Sequence, residues 1–138
     1  MISLHYLLSL TLWIAINPKE PRKDDFKGTY VSYSEALPYQ FEKRLTINCD
    51  STVKTSFKGG RIYETLTGRW TFHSDTLKVK LNPKIDKQGL PTFPHWKEEQ
   101  SYLLHKNLLI PIISPADKAS KHRRKYTFAK VKVQKCIN

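Results

Sequence analysis

The sequence predicts an all-β fold: an antiparallel up-and-down meander barrel of about eight strands that follows an N-terminal apolar segment. Between Leu45 and Leu81, apolar and polar residues alternate with a period of two, which places one set of side chains on a buried face. Short strands at this regular spacing are typical of an antiparallel barrel or sandwich. The aromatic content favours strands over helices, since the chain contains 7 Tyr, 6 Phe and 3 Trp.

The first strands can be followed from turn to turn. Gly28 lies in the first strand and allows a bend or the close approach of another backbone. The pair Gly59-Gly60 predicts a two-residue hairpin, because glycine readily adopts positive φ. Gly68 interrupts the following strand and predicts a bulge. The strand segments predicted in this half are residues 26–33, 43–49, 52–58, 61–67, 69–73 and 76–81, with a loop over 35–40.

The longest irregular stretch of the domain covers residues 82–96 and contains Pro83, Pro91 and Pro94. A loop of this length is either functional or a lid across one end of the barrel. Residues 101–105 and 108–113 then predict a hairpin with its tip at Lys106-Asn107. A helix stays open as an alternative here, because helical spacing also fits Trp96, Gln100, Leu103 and Leu104.

The end of the chain supplies the closing strand. Pro111 favours an edge or a bulge, since proline cannot donate to a sheet ladder. In the last predicted strand, residues 126–135, the apolar residues change phase, which predicts a bulge near Ala129-Lys130. Sequential hairpins imply an up-and-down order, and eight strands are enough to close a barrel with room for one small ligand.

The N-terminal residues 1–16 contain no Lys, Arg, Asp or Glu, and Asn17-Pro18 ends this apolar run. A helix of this length spans roughly 24 Å, less than a hydrocarbon core of about 30 Å. We therefore expect a signal peptide and an exported protein that is periplasmic, outer-membrane-associated or secreted. An uncleaved membrane anchor over residues 1–16 and a buried N-terminal helix stay open. The predicted organisation is a signal peptide or anchor over 1–17, a linker over 18–25 and a barrel domain over 26–138.

The chain is basic, with 24 Lys plus Arg against 12 Asp plus Glu and a net charge of +12. Such an excess favours anionic partners or surfaces, but basic residues spread over the outward strand positions also keep a small barrel soluble. The densest basic patch follows the second hairpin and consists of Lys118, Lys121, Arg123, Arg124 and Lys125. This patch is either a solvated loop or a contact site for a polyanion or membrane surface.

Two cysteines, Cys49 and Cys136, are present, and neither belongs to a CxxC motif or a Cys/His cluster. In an exported chain they are candidates for one disulfide. Such a bridge would close a loop of roughly 87 residues and stabilise the fold by about 4 kcal/mol in the chain-entropy description. Two buried free thiols are the alternative.

Residue patterns that carry catalysis or metal binding are missing from the sequence. None of the five histidines forms an HxH or HxxxH pair, and typical zinc sites need three or four converging ligands. No G-x-S-x-G nucleophile motif and no phosphate-binding glycine loop occurs. We therefore expect no enzyme activity, no cofactor and no metal site. The histidines are His5, His73, His95, His105 and His122.

The strand and turn motifs together resemble those of a family of small lipocalin-like proteins found in bacteria, many of them Bacteroidota. The matching residues are Leu45-Thr46-Ile47, Asp50, Phe57, Gly68-Arg69-Trp70, Asp75 and Leu77-Lys78-Val79. The resemblance covers roughly residues 26–136 and implies a barrel fold and an envelope or secreted location. No Cys follows the apolar run, so the lipid anchor of the exported lipoprotein members is not expected here.

The predicted barrel interior is the candidate binding surface for a small apolar ligand, with two loop aromatics as a lid over its entry. The alternatives are a basic barrel that binds a polyanion, either nucleic acid or an anionic envelope polymer, and a structural module that binds a protein along an exposed strand edge. No specific nucleic-acid partner is expected, and the oligomeric state stays open. The interior residues are Ile47, Phe57, Trp70, Phe72, Leu77 and Val79, and the lid residues are Phe93 and Trp96.

Overall fold

The chain folds into a closed barrel of eight antiparallel strands, as the sequence predicts. The computed structural model describes residues 22–36, 39–112 and 127–136. Strands that follow each other in the chain are also neighbours in the barrel, and the last strand pairs with the first. The barrel strands are β1 (Gly28–Ala36), β2 (Tyr39–Ile47), β3 (Thr52–Gly59), β4 (Ile62–His73), β5 (Thr76–Leu81), β8 (Glu99–His105), β9 (Leu108–Ile112) and β10 (Phe128–Val133).

Two short elements lie outside the barrel sheet. A 3-10 helix, Lys23–Phe26, precedes β1. The connection between β5 and β8 contains a small hairpin of β6 (Lys84–Ile85) and β7 (Pro91–Thr92). The stretch predicted to be irregular therefore includes one pair of short antiparallel strands. The hairpin predicted after it is formed by β8 and β9, and the helical alternative for this segment is wrong.

The alternation of apolar and polar residues determines which side chains fill the interior. Tyr30 on β1, Leu45 on β2, Thr55 on β3 and Leu66 on β4 are register partners in turn and form one inward row. All four side chains are buried. The hydroxyl of Thr55 donates to the carbonyl of Leu66 at 3.3 Å, so the polar member of the row is satisfied.

One end of the barrel, which we call the closed end, is sealed by the 3-10 helix. Phe26 is fully buried and contacts Phe72, with 5.1 Å between the ring centroids. The Tyr30 hydroxyl donates to the Phe26 carbonyl at 2.8 Å, and Trp70 Nε1 donates to the carbonyl of Asn48 at 2.8 Å. The closed end therefore has a solid, hydrogen-bonded base.

The Cys49–Cys136 disulfide also lies at the closed end. It joins the turn after β2 to the segment after β10, and the Cα atoms are 5.7 Å apart. Of the two thiol states that the sequence left open, the structure has the bridged one. In the barrel, β1 lies between β10 and β2. The bridge therefore joins the chain segments that follow the two neighbours of β1, next to the base of the barrel.

The seam between β1 and β10 depends on a glycine and on a change of register. Gly28 has φ of +142°, and a Cβ placed there would lie 2.3 Å from the carbonyl oxygen of Lys132, so only glycine fits. Thr29 pairs with Lys132 whereas Tyr30 pairs with Lys130, which leaves Val131 as an extra residue in β10. The predicted bulge is therefore present, next to the expected position.

The predicted bulge at Gly68 is wrong. Residues 61–67 and 69–73 belong to one continuous strand, β4, and Gly68 stays in register with both Val53 and Leu81. A Cβ at Gly68 would lie 2.1 Å from the Lys80 carbonyl oxygen. The glycine is needed because the β5 backbone passes too close for any side chain.

Several predicted boundaries also differ from the structure. The loop expected over 35–40 is largely replaced by the ends of β1 and β2, with residues 37–38 outside the described part. The first strand begins at Gly28 because Phe26 belongs to the 3-10 helix, the second ends at Ile47, and the last is shorter than 126–135. Pro111 lies in β9 as the register partner of Tyr102, and its predicted position at an edge or a bulge stays a prediction, because the residues that would lie on its β10 side are outside the described part.

We expect Gly68→Ala to destabilise the barrel by about 2 kcal/mol or more, because the added methyl group must displace the β5 backbone. Equilibrium urea denaturation measures this loss. Gly89→Ala is the comparison variant: its positive φ strains any side chain, but nothing lies within 4 Å of the added carbon, so it tests backbone strain without a close approach. A loss for Gly68→Ala no larger than that for Gly89→Ala would show that the close approach to Lys80 is not a constraint.

Reduction of the disulfide should lower the free energy of unfolding by about 2–4 kcal/mol, because the unfolded chain regains the freedom that the cross-link removes. The measurement is urea denaturation with and without reductant, together with intact mass, which should be two hydrogens below that of the reduced chain. The Cys49→Ser/Cys136→Ser double variant should not respond to reductant. A fully reduced mass for protein from its native source would contradict the bridge.

Candidate ligand-binding site

A cavity of about 520 Å³ occupies the end of the barrel opposite the closed end, which we call the open end. Sites for small molecules usually have volumes of about 300–1,000 Å³, so the size suits one ligand. The wall combines inward side chains of six strands with three consecutive residues of the β5–β8 connection. The lining residues are Ser32, Ser34, Lys43, Val79, Leu81, His95, Trp96, Lys97, Gln100, Tyr102, Pro111 and Phe128.

The cavity exists because the inward side chains of β1 become small towards the open end. Tyr30 fills the barrel near the base, but the next two inward positions of β1 are Ser32 and Ser34. Ser32 is the register partner of Lys43, whose ammonium group leaves the barrel row and bonds to the carbonyl oxygen of His95. In a closed barrel, small inward residues leave space that no other strand can fill.

The cavity wall formed by β5, β8, β9 and β10 is mostly apolar and contains two aromatic contacts. Tyr102 meets the ring of Phe128 edge-on, with 6.1 Å between the centroids. Trp96 stacks on the same Phe128 ring, with 5.9 Å between the centroids. Burial raises the pKa of the Tyr102 phenol, which therefore stays neutral at physiological pH. Val79 and Leu81 of β5 extend this wall and are both buried.

Residues 93–97 of the β5–β8 connection form a lid over the open end. His95 stacks on the ring of Phe57, with 3.7 Å between centroids and 6° between the ring planes. Its Nε2 lies 3.5 Å from a carboxylate oxygen of Glu64, which is the inward register partner of Phe57. His95 has φ of 64°, and the Trp96 amide donates to the Phe93 carbonyl at 3.1 Å, so a tight turn presents the ring.

Lys43 connects the lid to the barrel wall. Its Nζ donates to the carbonyl oxygen of His95 at 2.5 Å and lies 5.1 Å from the centroid of the Trp96 ring, a cation–π contact. Partial burial lowers the pKa of the Lys43 ammonium, since desolvation disfavours the charged form. Lys97 adds a second positive charge to the lining residues, which include no Asp or Glu.

The structure separates the predicted binding residues into two groups. Val79 and Trp96 line the cavity, Phe57 supports the lid, and Phe93 packs against the core. The other predicted residues belong to the filled half near the closed end and do not reach the cavity. These are Ile47, Trp70, Phe72 and Leu77.

Sequence reasoning missed most of the polar lining residues. Lys43 has the same alternation phase as Leu45 and Ile47, and Ser32 has the same phase as Tyr30. Phase alone was therefore a usable signal for both. Gln100 is inward for the same reason, and its side-chain amide donates to the carbonyl of Ile112 at 3.1 Å.

Other predicted features lie outside the described residues or carry no site within them. The segment 1–17 and the basic patch of residues 118–125 are outside the described part. Within the described ranges, no three His, Cys, Asp or Glu side chains come together as a metal site. Nor do these ranges contain a helix whose length and hydropathy would let it span a bilayer. Asp50 caps its own turn: its carboxylate accepts from the Thr52 hydroxyl and from the Thr52 amide, and these two bonds lower the pKa of the carboxyl.

Removal of the lid contact should expose the open end. We expect His95→Ala to increase acrylamide quenching of Trp96 fluorescence, because the Phe57 stack and the Glu64 contact both disappear. His73→Ala is the matched control, since His73 is exposed at the end of β4 nearest the base. Equal quenching in wild type and His95→Ala would show that the lid is held by other contacts.

No family model, no curated protein and no solved structure matches this chain. The assignment of the site therefore depends on its geometry and chemistry.

Proposed function

We propose that this protein is an exported, non-enzymatic lipocalin-like barrel that binds a small apolar molecule in the open-end cavity. The observation that carries the proposal is the hollow of about 520 Å³ inside a closed sheet whose other end is solid. Concave, mostly apolar sites with a few polar groups are the usual form of small-molecule pockets.

Burial of apolar surface supplies the binding free energy. A ligand that loses about 300 Å² of apolar surface to Val79, Leu81 and the aromatic wall gains about 7 kcal/mol before the cost of association. The closed barrel is already ordered by its strand pairing, so little conformational entropy is lost when the ligand enters. The lid contributes the last wall through Trp96.

The polar groups of the cavity favour binding over catalysis. The His95 ring is stacked on Phe57 and its Nε2 faces Glu64, and no hydrogen bond joins it to Ser32 or Ser34 within the described part of the chain. A nucleophile activated by a base needs such a contact. The role we propose is therefore storage, transport or sensing of the ligand.

Two features of the chain and one resemblance support export. The apolar run over residues 1–16 has the length of a signal-peptide core. The Cys49–Cys136 bridge is of a kind that persists in oxidising compartments such as the periplasm or the cell exterior. The resemblance to small lipocalin-like bacterial proteins points to the same location.

A second candidate function is contact with a polyanion through the outer face of β3, β4 and β5. Outward positions on these strands carry exposed cations, and Arg69 and Lys80 are register partners. Binding of this kind would weaken steeply with salt, whereas binding in the cavity would not. The exposed cations are Lys54, Lys58, Arg69, Lys78 and Lys80.

The test is titration with the neutral apolar fluorophore N-phenyl-1-naphthylamine, comparing Ser32→Phe with Ser56→Phe. Ser32 faces the cavity, whereas Ser56 is two strands away and points outward. We expect saturable, salt-independent binding to wild type and Ser56→Phe, and a loss of about tenfold or more in affinity for Ser32→Phe, because the new ring fills the hollow. No saturable binding to wild type, or equal binding to both variants, would overturn the proposal.

A further inference from the structure

We propose that the ligand of the open-end cavity is an amphiphile, an apolar chain with a single anionic head group, and that Lys43 holds this head group. The inference rests on the proposed function and specifies its ligand class. The head group is defined by its charge and acceptor oxygens, which a carboxylate, a phosphate and a sulfate share.

Lys43 occupies an inward position, where a charge is costly. On β2 it lies two and four residues before Leu45 and Ile47, which share its face and are fully buried. Its register partners, Ser32 on β1 and Phe57 on β3, carry no charge. A half-buried ammonium in such a row loses hydration that only a strong partner can restore.

The described protein groups around Lys43 leave this charge uncompensated. The His95 carbonyl and the Trp96 ring contribute a dipole and a quadrupole, not a negative charge. Among the described residues, no carboxylate lies within 4.0 Å of Lys43 Nζ, since Glu42 pairs with Arg44 and Glu64 faces His95. A bound anion would supply the missing counter-charge.

The rest of the cavity fits the same ligand. Its second charged group, Lys97, is also positive, and Ser32 offers a hydroxyl on the same inward row as Lys43. Trp96 Nε1 is buried without a hydrogen-bond partner in the described structure, so an acceptor oxygen near the lid would satisfy a donor that is now unpaired.

The Lys43 ammonium and the aliphatic side chains of β5 lie on opposite walls, which gives the ligand an orientation. Lys43 and Ser32 belong to the adjacent strands β2 and β1, whereas Val79 and Tyr102 belong to the adjacent strands β5 and β8 on the far side of the barrel. The head group would contact the β1–β2 wall and the lid, and the chain would pack against the β5–β8 wall. A ligand without the head group would leave Lys43 desolvated and unpaired.

The experiment compares decanoate with decanol, which share one chain and differ in charge, by calorimetry below the micellar range. Wild type should bind decanoate about tenfold more tightly or better, because a charge-assisted bond to Lys43 forms only with the anion. Lys43→Met should reduce the ratio of the two affinities to about one. Lys54→Met, which removes an exposed outward lysine from β3, should leave the ratio unchanged.

The outcomes distinguish two claims: that the cavity binds an apolar ligand, and that Lys43 holds an anionic head group. Equal binding of decanoate and decanol to wild type, or a preference that survives Lys43→Met, overturns the head-group inference and leaves the apolar site standing. Binding of neither ligand, nor of the neutral fluorophore, overturns both. The wild-type comparison needs no variant, and Lys43→Arg should keep the preference if charge is what matters. Decyl phosphate and decyl sulfate, measured in the same way, identify the preferred anion.

Discussion

Closure of the sheet between β1 and β10 is the interaction on which the rest of the structure depends. It needs Gly28, because any side chain there would meet the Lys132 carbonyl, and it needs the extra residue Val131 to bring the two strands into register. Once the sheet is closed, its inward side chains have no other place to go. The volume and polarity of those side chains then decide whether each level of the barrel is filled or hollow.

The two ends of the barrel differ in the size and polarity of their inward side chains. Near the base, large inward side chains and the buried Phe26 of the 3-10 helix produce a solid core, and the disulfide fastens the C-terminal segment to it. Near the open end, Ser32 and Ser34 take the place of large apolar groups, and the lid closes over the space that they leave. The stable half supports a half that is free to carry a ligand, which is the usual division between scaffold and site.

The periodic parts of this fold could be predicted from the sequence, and the aperiodic parts could not. Alternation around Leu45 and Leu77 identified the strands, their inward faces and the up-and-down order. The position of His95 over Phe57 had no local signal, because the connection that carries it has no repeating pattern and is placed by tertiary contacts. The pattern also places Phe26 in the first strand, although it belongs to the 3-10 helix. An isolated aromatic residue fits a strand and a short helix equally well.

Lys43 is not recognised as a site residue from the sequence, because the predicted second strand begins at residue 43 whereas β2 begins at Tyr39. A lysine at the end of a strand normally extends past the barrel rim into solvent. Because β2 begins at Tyr39, Lys43 instead lies in the middle of the strand with its side chain on the inward face. Gly68 is a similar case, since a glycine within a strand marks either a bulge or a close backbone approach, and only the position of β5 distinguishes them.

The central claim is that the hollow half of the barrel, and not its surface or its base, receives an apolar ligand. Methyl NMR of the protein titrated with N-phenyl-1-naphthylamine tests it most directly. The methyl groups of Val79 and Leu81 should shift and show contacts to the ligand, while those of Ile47 and Val53 near the base stay unchanged. Shifts confined to exposed residues such as Val131 and Val133, or no shifts at all, would contradict the account.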